Sequence, residues 1–160
     1  MHATAVTIPI TIRLQQDDFD VSHEIRALTH GRIDIGAVVS FSGICRGGAE
    51  GGTIIALTLE HYPGMADAEI RRHVDQAIAR WPLTGVTVIH RYGRLAPGDN
   101  IVLVLTTSAH RQAAFQGAEF LMDYLKVNAP FWKSEQRPQQ TAWVDTHYRD
   151  DDAIARWKES

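Results

Sequence analysis

The order of periodic segments along the chain is the feature that most restricts its fold. Alternating apolar and polar runs, typical of strands, and amphipathic runs, typical of helices, are mixed without strict β-α-β alternation. A doubly wound parallel sheet needs a helical crossover between successive strands. The pattern therefore predicts an α+β domain with a largely antiparallel sheet.

The first half of the chain is predicted to contain three strands and two helices. Pro9 lies on the polar face of the first strand and favours an edge position, because proline cannot donate to a sheet ladder. The glycine-rich segment 46–52 is the most flexible stretch, and it lacks the Gly-Lys-Ser/Thr ending of a phosphate-binding P-loop. The predicted elements are a strand over 6–14, a helix from Asp20 or Ser22 to His30, strands over 36–45 and 53–61, and a helix over 65–81.

The second half is predicted to contain four strands and two helices, the first helix being long. Ser108 is the expected cap of that helix and Pro130 ends it, while Ala114, Ala118, Leu121 and Leu125 form its inner stripe. The predicted elements are strands over 86–92 and 101–107, a helix over 109–128, strands over 131–135 and 141–145, and a helix over 150–158. No linker divides these elements, so residues 1–160 are predicted to form a single domain.

Composition excludes several classes of protein. The net charge of -3 argues against a general nucleic-acid binder, which needs an excess of Lys and Arg. No apolar run approaches the roughly 20 residues of a membrane helix, and the alternating N-terminal residues do not resemble a secretory signal. The single cysteine, Cys45, cannot form an internal disulfide. A reducing, cytoplasmic environment is therefore expected.

The junction between the strand over 101–107 and the long helix is a candidate anion site. Free N–H groups at a helix start attract anions, and His110 and Arg111 add side chains suited to phosphate. An ordinary helix start with two solvated polar residues is the alternative. Arg46, at the opening of the glycine-rich segment, could reach a phosphate or could be a solvated charge at a strand end.

Two of the three lysines, Lys126 and Lys133, fall within eight residues around an aromatic stretch. Desolvation and a second cation both lower the pKa of a lysine, so a pair of this kind can serve as base or nucleophile. A lysine in the last turn of a helix can also simply interact favourably with the helix dipole.

Cys45 ends an apolar strand and is interpreted as a buried hydrophobic residue. No metal site is expected, since no histidine pair has a recognised ligand spacing and no Cys pair supports one. No cofactor is expected.

Several motifs in the same order resemble the molybdopterin synthase large (catalytic) subunit family. They are Ala56-Leu-Thr-Leu-Glu-His-Tyr-Pro-Gly-Met65, Arg80-Trp-Pro-Leu83 with Val86-Thr-Val-Ile-His-Arg91, Thr107-Ser-Ala-His-Arg111, Met122-Asp-Tyr-Leu-Lys126 and Ala129-Pro-Phe-Trp-Lys133. The resemblance runs over about 36–157. It implies an α/β hammerhead fold with a smaller antiparallel β subdomain.

The resemblance also implies a reaction and its partners. Enzymes of the family convert cyclic pyranopterin monophosphate to molybdopterin with two sulfurs, in molybdenum cofactor biosynthesis. Sulfur arrives as a thiocarboxylate on the Gly-Gly tail of a small ubiquitin-like subunit. A homodimer of large subunits forms the core of the heterotetramer.

Matching motifs imply the site residues. Lys126 and Lys133 correspond to the catalytic pair, and the expected substrate-binding residues are Arg46, His110, Arg111, Lys126, Lys133, Ser134 and Glu135. The chain departs from the family pattern at Ile44 and Ser134, which stand where basic residues are frequent, and at His147, which stands where an arginine is frequent.

Helix geometry constrains how these residues can meet. His110 and Lys126 are sixteen residues apart, about 24 Å along one helix, which a pterin monophosphate cannot span. Either Gly117 breaks the helix, or each site combines residues from two copies of the chain, which is the prediction we make. Two other functions fit the pattern: a noncatalytic pterin- or phosphate-binding dimer that docks a ubiquitin-like partner, and a lysine Schiff-base enzyme.

Overall fold

The computed structural model describes residues 7–49, 52–138, 140–143 and 148–158. Its elements follow in the order β1 (Ile10–Gln15), α1 (Val21–Thr29), β2 (Ala37–Ile44), β3 (Gly48–Ala49), β4 (Gly52–Thr53), β5 (Ala56–His61), α2 (Met65–Arg80), β6 (Leu83–Arg91), β7 (Gly93–Leu95), β8 (Asn100–Ser108), α3 (Arg111–Val127), β9 (Phe131–Arg137), β10 (Gln140–Trp143) and α4 (Tyr148–Lys158). No described helix is long and apolar enough to cross a membrane.

The main sheet has four strands in the order β1-β6-β8-β2. Both β6 and β2 pair antiparallel with β8, whereas β1 pairs parallel with β6. Side chains alternate between the two faces of these buried strands and so belong to two apolar clusters. Val86, Val88 and Val104 pack with residues of α2 and α3, while Ile89, Leu103 and Leu105 pack with residues around α1. The sheet is thus covered by helices on both faces, with β1 and β2 at its edges.

A second, smaller sheet has the order β10-β9-β5-β7 and is antiparallel throughout. Leu57, Leu59 and Leu95 on one of its faces are buried together with Cys45. The α+β class and the smaller antiparallel sheet are therefore confirmed. The short strand β7 was not predicted, and the glycine-rich segment contains the two-residue strands β3 and β4.

The helix starts show where local sequence signals hold and where they do not. Asp20 caps α1 as predicted, accepting a hydrogen bond from the His23 N–H at 3.0 Å. The prediction that Ser108 caps the long helix is wrong, because the N-cap residue of α3 is His110. Ser108 instead donates from Oγ to the Pro82 carbonyl at 2.8 Å, which ties the end of β8 to the start of β6.

The long helix α3 is continuous over 17 residues. Its inner stripe is buried as predicted, and Gly117 lies inside the helix against Leu83, where a Cβ atom would come within 2.9 Å of the leucine side chain. Glycine at this position therefore permits close packing of the helix on the sheet. It does not interrupt the helix.

Candidate functional site

The predicted anion-binding residues lie at the start of α3. His110 and Arg111 are both exposed, and the backbone N–H of His110 lies 3.4 Å from Ser108 Oγ. The chain before β2 packs against the same turn, since the Gly36 N–H donates to the Ser108 carbonyl at 3.0 Å. A Cβ atom at Gly36 would lie 2.1 Å from the Ala109 carbonyl oxygen, so only glycine fits here. The start of β2 and the start of α3 thus form one end of the molecule.

The two predicted catalytic lysines belong to the opposite end. Lys126 is exposed in the last turn of α3, and Lys133 lies on β9, the strand that follows the helix. Because α3 turns back after β8 and packs along β8 and β2, it runs in the direction of β2. The ends of α3 and β2 therefore lie on the same side of the domain.

Side chains of β9 alternate between the two faces of the smaller sheet. Lys133 and Glu135 pair across strands with Leu59 and Leu57, so they share the face that buries these leucines. Ser134 pairs with Thr58 and lies on the other face. The structure thus brings together Lys133 and Glu135 and separates Ser134 from them by the thickness of the strand.

Cys45 links the end of β2 to the lysine site. Its thiol is buried against the leucines of the smaller sheet, as predicted for a structural cysteine. Burial raises the pKa of the Cys45 thiol, the positive charge of Lys133 lowers it, and the charges of Asp99 and Glu135 raise it. Lys133 and Glu135 are therefore within electrostatic reach of Cys45, and Arg46, exposed, is the next residue in the chain.

The Glu135 carboxylate is the polar centre of this group. Arg137 Nη2 lies 2.8 Å from Glu135 Oε2, while Lys133 Nζ lies 3.8 Å from Glu135 Oε1. The first distance is a charge-assisted hydrogen bond and the second is too long for one. Arg137 was not identified from the sequence, although its two-residue spacing from Glu135 on a strand places both on one face.

A cleft of about 570 Å³ lies along β5, lined by Gln16, Thr58, Leu59, Glu60, His61, Pro63, Tyr92 and Gly93. None of the predicted site residues lines it, but Leu59 is the cross-strand neighbour of Lys133. Among the described residues, Nδ1 of His61 is buried without a hydrogen-bond partner, and its ring contacts Tyr92 edge-on at 4.6 Å. The sequence did not reveal this cleft, which lies along β5 and the start of β7.

The predicted residues therefore fall into two groups at opposite ends of one chain. Arg46, Lys126, Lys133 and Glu135 belong to one end, and His110 and Arg111 to the other. Ile44 ends β2 and is 54% exposed, while His147 lies outside the described residues. Within the described part of the chain, no three His, Cys, Asp or Glu side chains are grouped so that they could hold a metal ion.

Known proteins share both this sequence and this fold. A family model described as MoaE protein matches residues 14–128. The chain is 59% identical over 159 residues to the molybdopterin synthase catalytic subunit of Mesorhizobium japonicum, a match that covers 98% of each protein. The molybdopterin biosynthesis MoaE protein from Burkholderia ambifaria has a TM-score of 0.80 and 45% identity, covering 93% of this chain and 98% of that one.

A more distant structure shares the fold alone. It is the complex of subunits 1 and 2 of the molybdopterin-converting factor from Helicobacter pylori, with a TM-score of 0.69 and 19% identity, covering 84% of this chain and 90% of the matched one. The family match spans more than half of the chain, and the Mesorhizobium relative is similar over almost its whole length. The chain therefore belongs to the MoaE family, the family of molybdopterin synthase catalytic subunits.

Proposed function

We propose that this chain catalyses the sulfur-transfer step of molybdopterin synthesis. Its substrate is cyclic pyranopterin monophosphate, and the sulfur donor is the thiocarboxylated Gly-Gly tail of a small ubiquitin-like subunit. One observation carries the proposal: at one end of the molecule, Lys133 and Glu135 lie within electrostatic reach of the Cys45–Arg46 turn. Family membership supports the reaction type.

Cations at this end suit the chemistry. The substrate carries a phosphate, and the donor carries a thiocarboxylate, so two anions must approach each other before sulfur can be transferred. The Lys133 side chain is 40% exposed, so its amine can meet these charges while the aliphatic part of the side chain lies on the smaller sheet. Preorganised cations of this kind stabilise negative charge that develops as sulfur attacks and the cyclic phosphate opens. We assign Lys126 and Lys133 as the catalytic pair, with Arg46, Ser134 and Glu135 as further substrate-binding residues.

Two copies of the chain complete each site in this proposal. An uninterrupted α3 argues against the alternative in which Gly117 breaks the helix, and it leaves His110 and Lys126 about 24 Å apart along the axis. One chain cannot bring both to a single pterin monophosphate. His110 and Arg111 of one copy therefore join Lys126, Lys133 and Arg46 of the other.

The exposed edge of the main sheet suggests how the copies meet. Among the strands that the structure describes, β2 pairs only with β8, and its residues Val38, Phe41 and Ile44 are exposed apolar side chains. An unpaired edge of this kind is a template for another strand. In a two-fold dimer, antiparallel pairing of β2 with its copy brings the start of one strand to the end of the other.

The length of β2 matches the distance to be bridged. Eight residues at about 3.3 Å each span about 26 Å, close to the 24 Å between the ends of α3. Pairing along this edge therefore sets the His110 end of one copy beside the Arg46 end of its partner. The homodimer then has two equivalent sites, and a heterotetramer forms when each binds one small subunit.

The direct test is reconstitution of the reaction. Purified chain is incubated with thiocarboxylated small subunit and cyclic pyranopterin monophosphate, and the dithiolene product is measured after derivatisation. We expect product that depends on the chain and on the thiocarboxylate. A chain that binds the small subunit and the pterin but yields no dithiolene would support the noncatalytic binding module instead.

A further inference from the structure

The carboxylate next to the proposed catalytic amine lies between two cations. Lys133, Glu135 and Arg137 alternate along β9 and therefore lie on one face of the smaller sheet. Their side chains are 40%, 14% and 20% exposed, so the carboxylate between the two cations is the most buried of the three. A carboxylate with so little access to water needs a charged or hydrogen-bonding partner.

Arg137 is the hydrogen-bonding partner of Glu135, whereas Lys133 forms only a longer ion pair with it. Arg137 Nη2 donates to Glu135 Oε2 at 2.8 Å, whereas Lys133 Nζ stays 3.8 Å from Oε1. The planar guanidinium presents several donors in a rigid fork and suits a carboxylate better than an ammonium group does. We propose that Arg137 is a positioning residue, which engages Glu135 so that the Lys133 amine stays in a loose ion pair at 3.8 Å, without a hydrogen bond to the carboxylate, and is available to substrate.

The consequence for catalysis rests on the proposed function. An amine that is locked to a carboxylate offers less charge to an incoming anion, and its lone pair is less accessible to an electrophile. Removing Arg137 leaves Glu135 with a cation only 3.8 Å away, and a small rotation of either side chain closes that gap to a hydrogen bond. The Arg137 side chain thus acts on the reaction through Glu135, without touching substrate.

Chemical labelling of lysines tests this step without any substrate. The chain has only three lysines, and Lys158 at the end of α4 is an exposed internal reference. The full-length protein is treated briefly with N-hydroxysuccinimidyl acetate, and acetylation of each lysine is measured by peptide mass spectrometry. We expect Arg137→Gln to slow labelling of Lys133 about tenfold relative to Lys158, the effect of one charge-assisted hydrogen bond.

Two further variants isolate the carboxylate. In the double variant Arg137→Gln/Glu135→Gln, labelling of Lys133 should return to at least the wild-type rate, because the carboxylate that could hold the amine is gone. Arg94→Gln is the matched control. Arg94 donates to Gln136 Oε1 at 2.7 Å on the opposite face of β9, so its loss removes an arginine bond to the same strand and should leave labelling of Lys133 unchanged.

The outcomes separate positioning from a merely structural role. If Arg137 only stabilised the fold, its loss would expose β9 and speed up labelling of Lys133, which is the opposite of the proposed effect. Unchanged or faster labelling in folded Arg137→Gln overturns the proposal. If that variant fails to fold, Glu135→Gln alone tests the proposal. We expect labelling of Lys133 within about twofold of wild type; an increase of about tenfold, the size of one charge-assisted hydrogen bond, would mean that Glu135 already held the lysine by such a bond and would overturn the proposal.

The activity assay then distinguishes this inference from the proposed function. With both correct, Arg137→Gln lowers kcat for dithiolene formation, and the loss follows the loss of Lys133 labelling. If the labelling changes as expected but the wild-type chain forms no product, the proposed function fails while the role of Arg137 stands. If product forms normally and Arg137→Gln leaves labelling and kcat unchanged, the role of Arg137 fails alone.

Discussion

Protonation of His90 should weaken the fold in mildly acidic solution. His90 lies on β6, and its ring stacks on Phe131, the first residue of β9, with centroids 3.9 Å apart and planes 16° apart. Its Nδ1 lies 2.8 Å from the Arg91 carbonyl oxygen, so this nitrogen carries the proton of the neutral ring and donates it. Burial lowers the pKa of His90 from 6.5 to about 4, the Arg91 bond partly opposes this, and the nearby His61 lowers it further.

The size of the effect follows from the two pKa values. In the unfolded chain His90 takes up a proton near pH 6.5, whereas in the folded protein it does so only near pH 4. The unfolded state therefore binds more protons between these values, and stability falls as the pH falls through this window. A difference of about 2.5 pKa units corresponds to a loss of about 3 kcal/mol, complete below pH 4.

Denaturant unfolding of wild type and His90→Phe from pH 7.5 to pH 4 measures this contribution. Phenylalanine keeps a ring against Phe131 and removes the titrating group, and the other acidic and histidine groups cancel in the difference between the two proteins. We expect the free energy of unfolding of the variant, relative to that of wild type, to rise by about 3 kcal/mol as the pH falls from 7.5 to 4. A difference that stays constant with pH would refute the reasoning, because the buried ring would then titrate as it does in water.

Three substitutions test the site and the packing around it. Lys133→Ala should lower the rate of dithiolene formation far more than tenfold while the circular dichroism spectrum is retained; a near-normal rate removes this lysine from the catalytic pair. Gly36→Ala should cost about 3 kcal/mol in denaturant unfolding, because the added Cβ meets the Ala109 carbonyl oxygen at 2.1 Å and that backbone atom cannot yield cheaply. Thr106→Val removes the buried hydrogen bond from Thr106 Oγ1 to the Ala114 carbonyl at 2.6 Å and should cost about 1 to 2 kcal/mol by the same assay. An unchanged midpoint in either packing variant contradicts the contact on which it rests.

Most helices and strands could be predicted because caps and apolar periodicity depend only on neighbouring residues. Asp20 caps α1 through its own side chain, and the inner stripe of α3 repeats at helical spacing, so both are readable from a few neighbouring residues. Strand partners are chosen by distant parts of the chain. The parallel pairing of β1 with β6 was therefore not foreseen, and β7, with three residues, was too short to show a period.

Wrong and missing assignments have the same origin. Ser108 has the right chemistry for a cap, but the fold places its hydroxyl against the Pro82 carbonyl, and that bond depends on β6 lying beside β8. For the site, motif resemblance named Lys133 and Glu135, and strand alternation places them on one face. Neither could identify the cleft at His61, whose walls come from β5 and from the ends of β1 and β6.

Separation of the two groups of site residues along α3 is the basis of the shared-site account. The most direct measurement mixes two inactive chains, His110→Ala and Lys126→Ala, under conditions that exchange subunits, and follows dithiolene formation with each subunit carrying a different tag. Mixed dimers should recover activity of up to one working site, because one of the two sites then has both groups intact. Proven mixed dimers with no recovered activity would contradict the account, since each site would then depend on one chain alone.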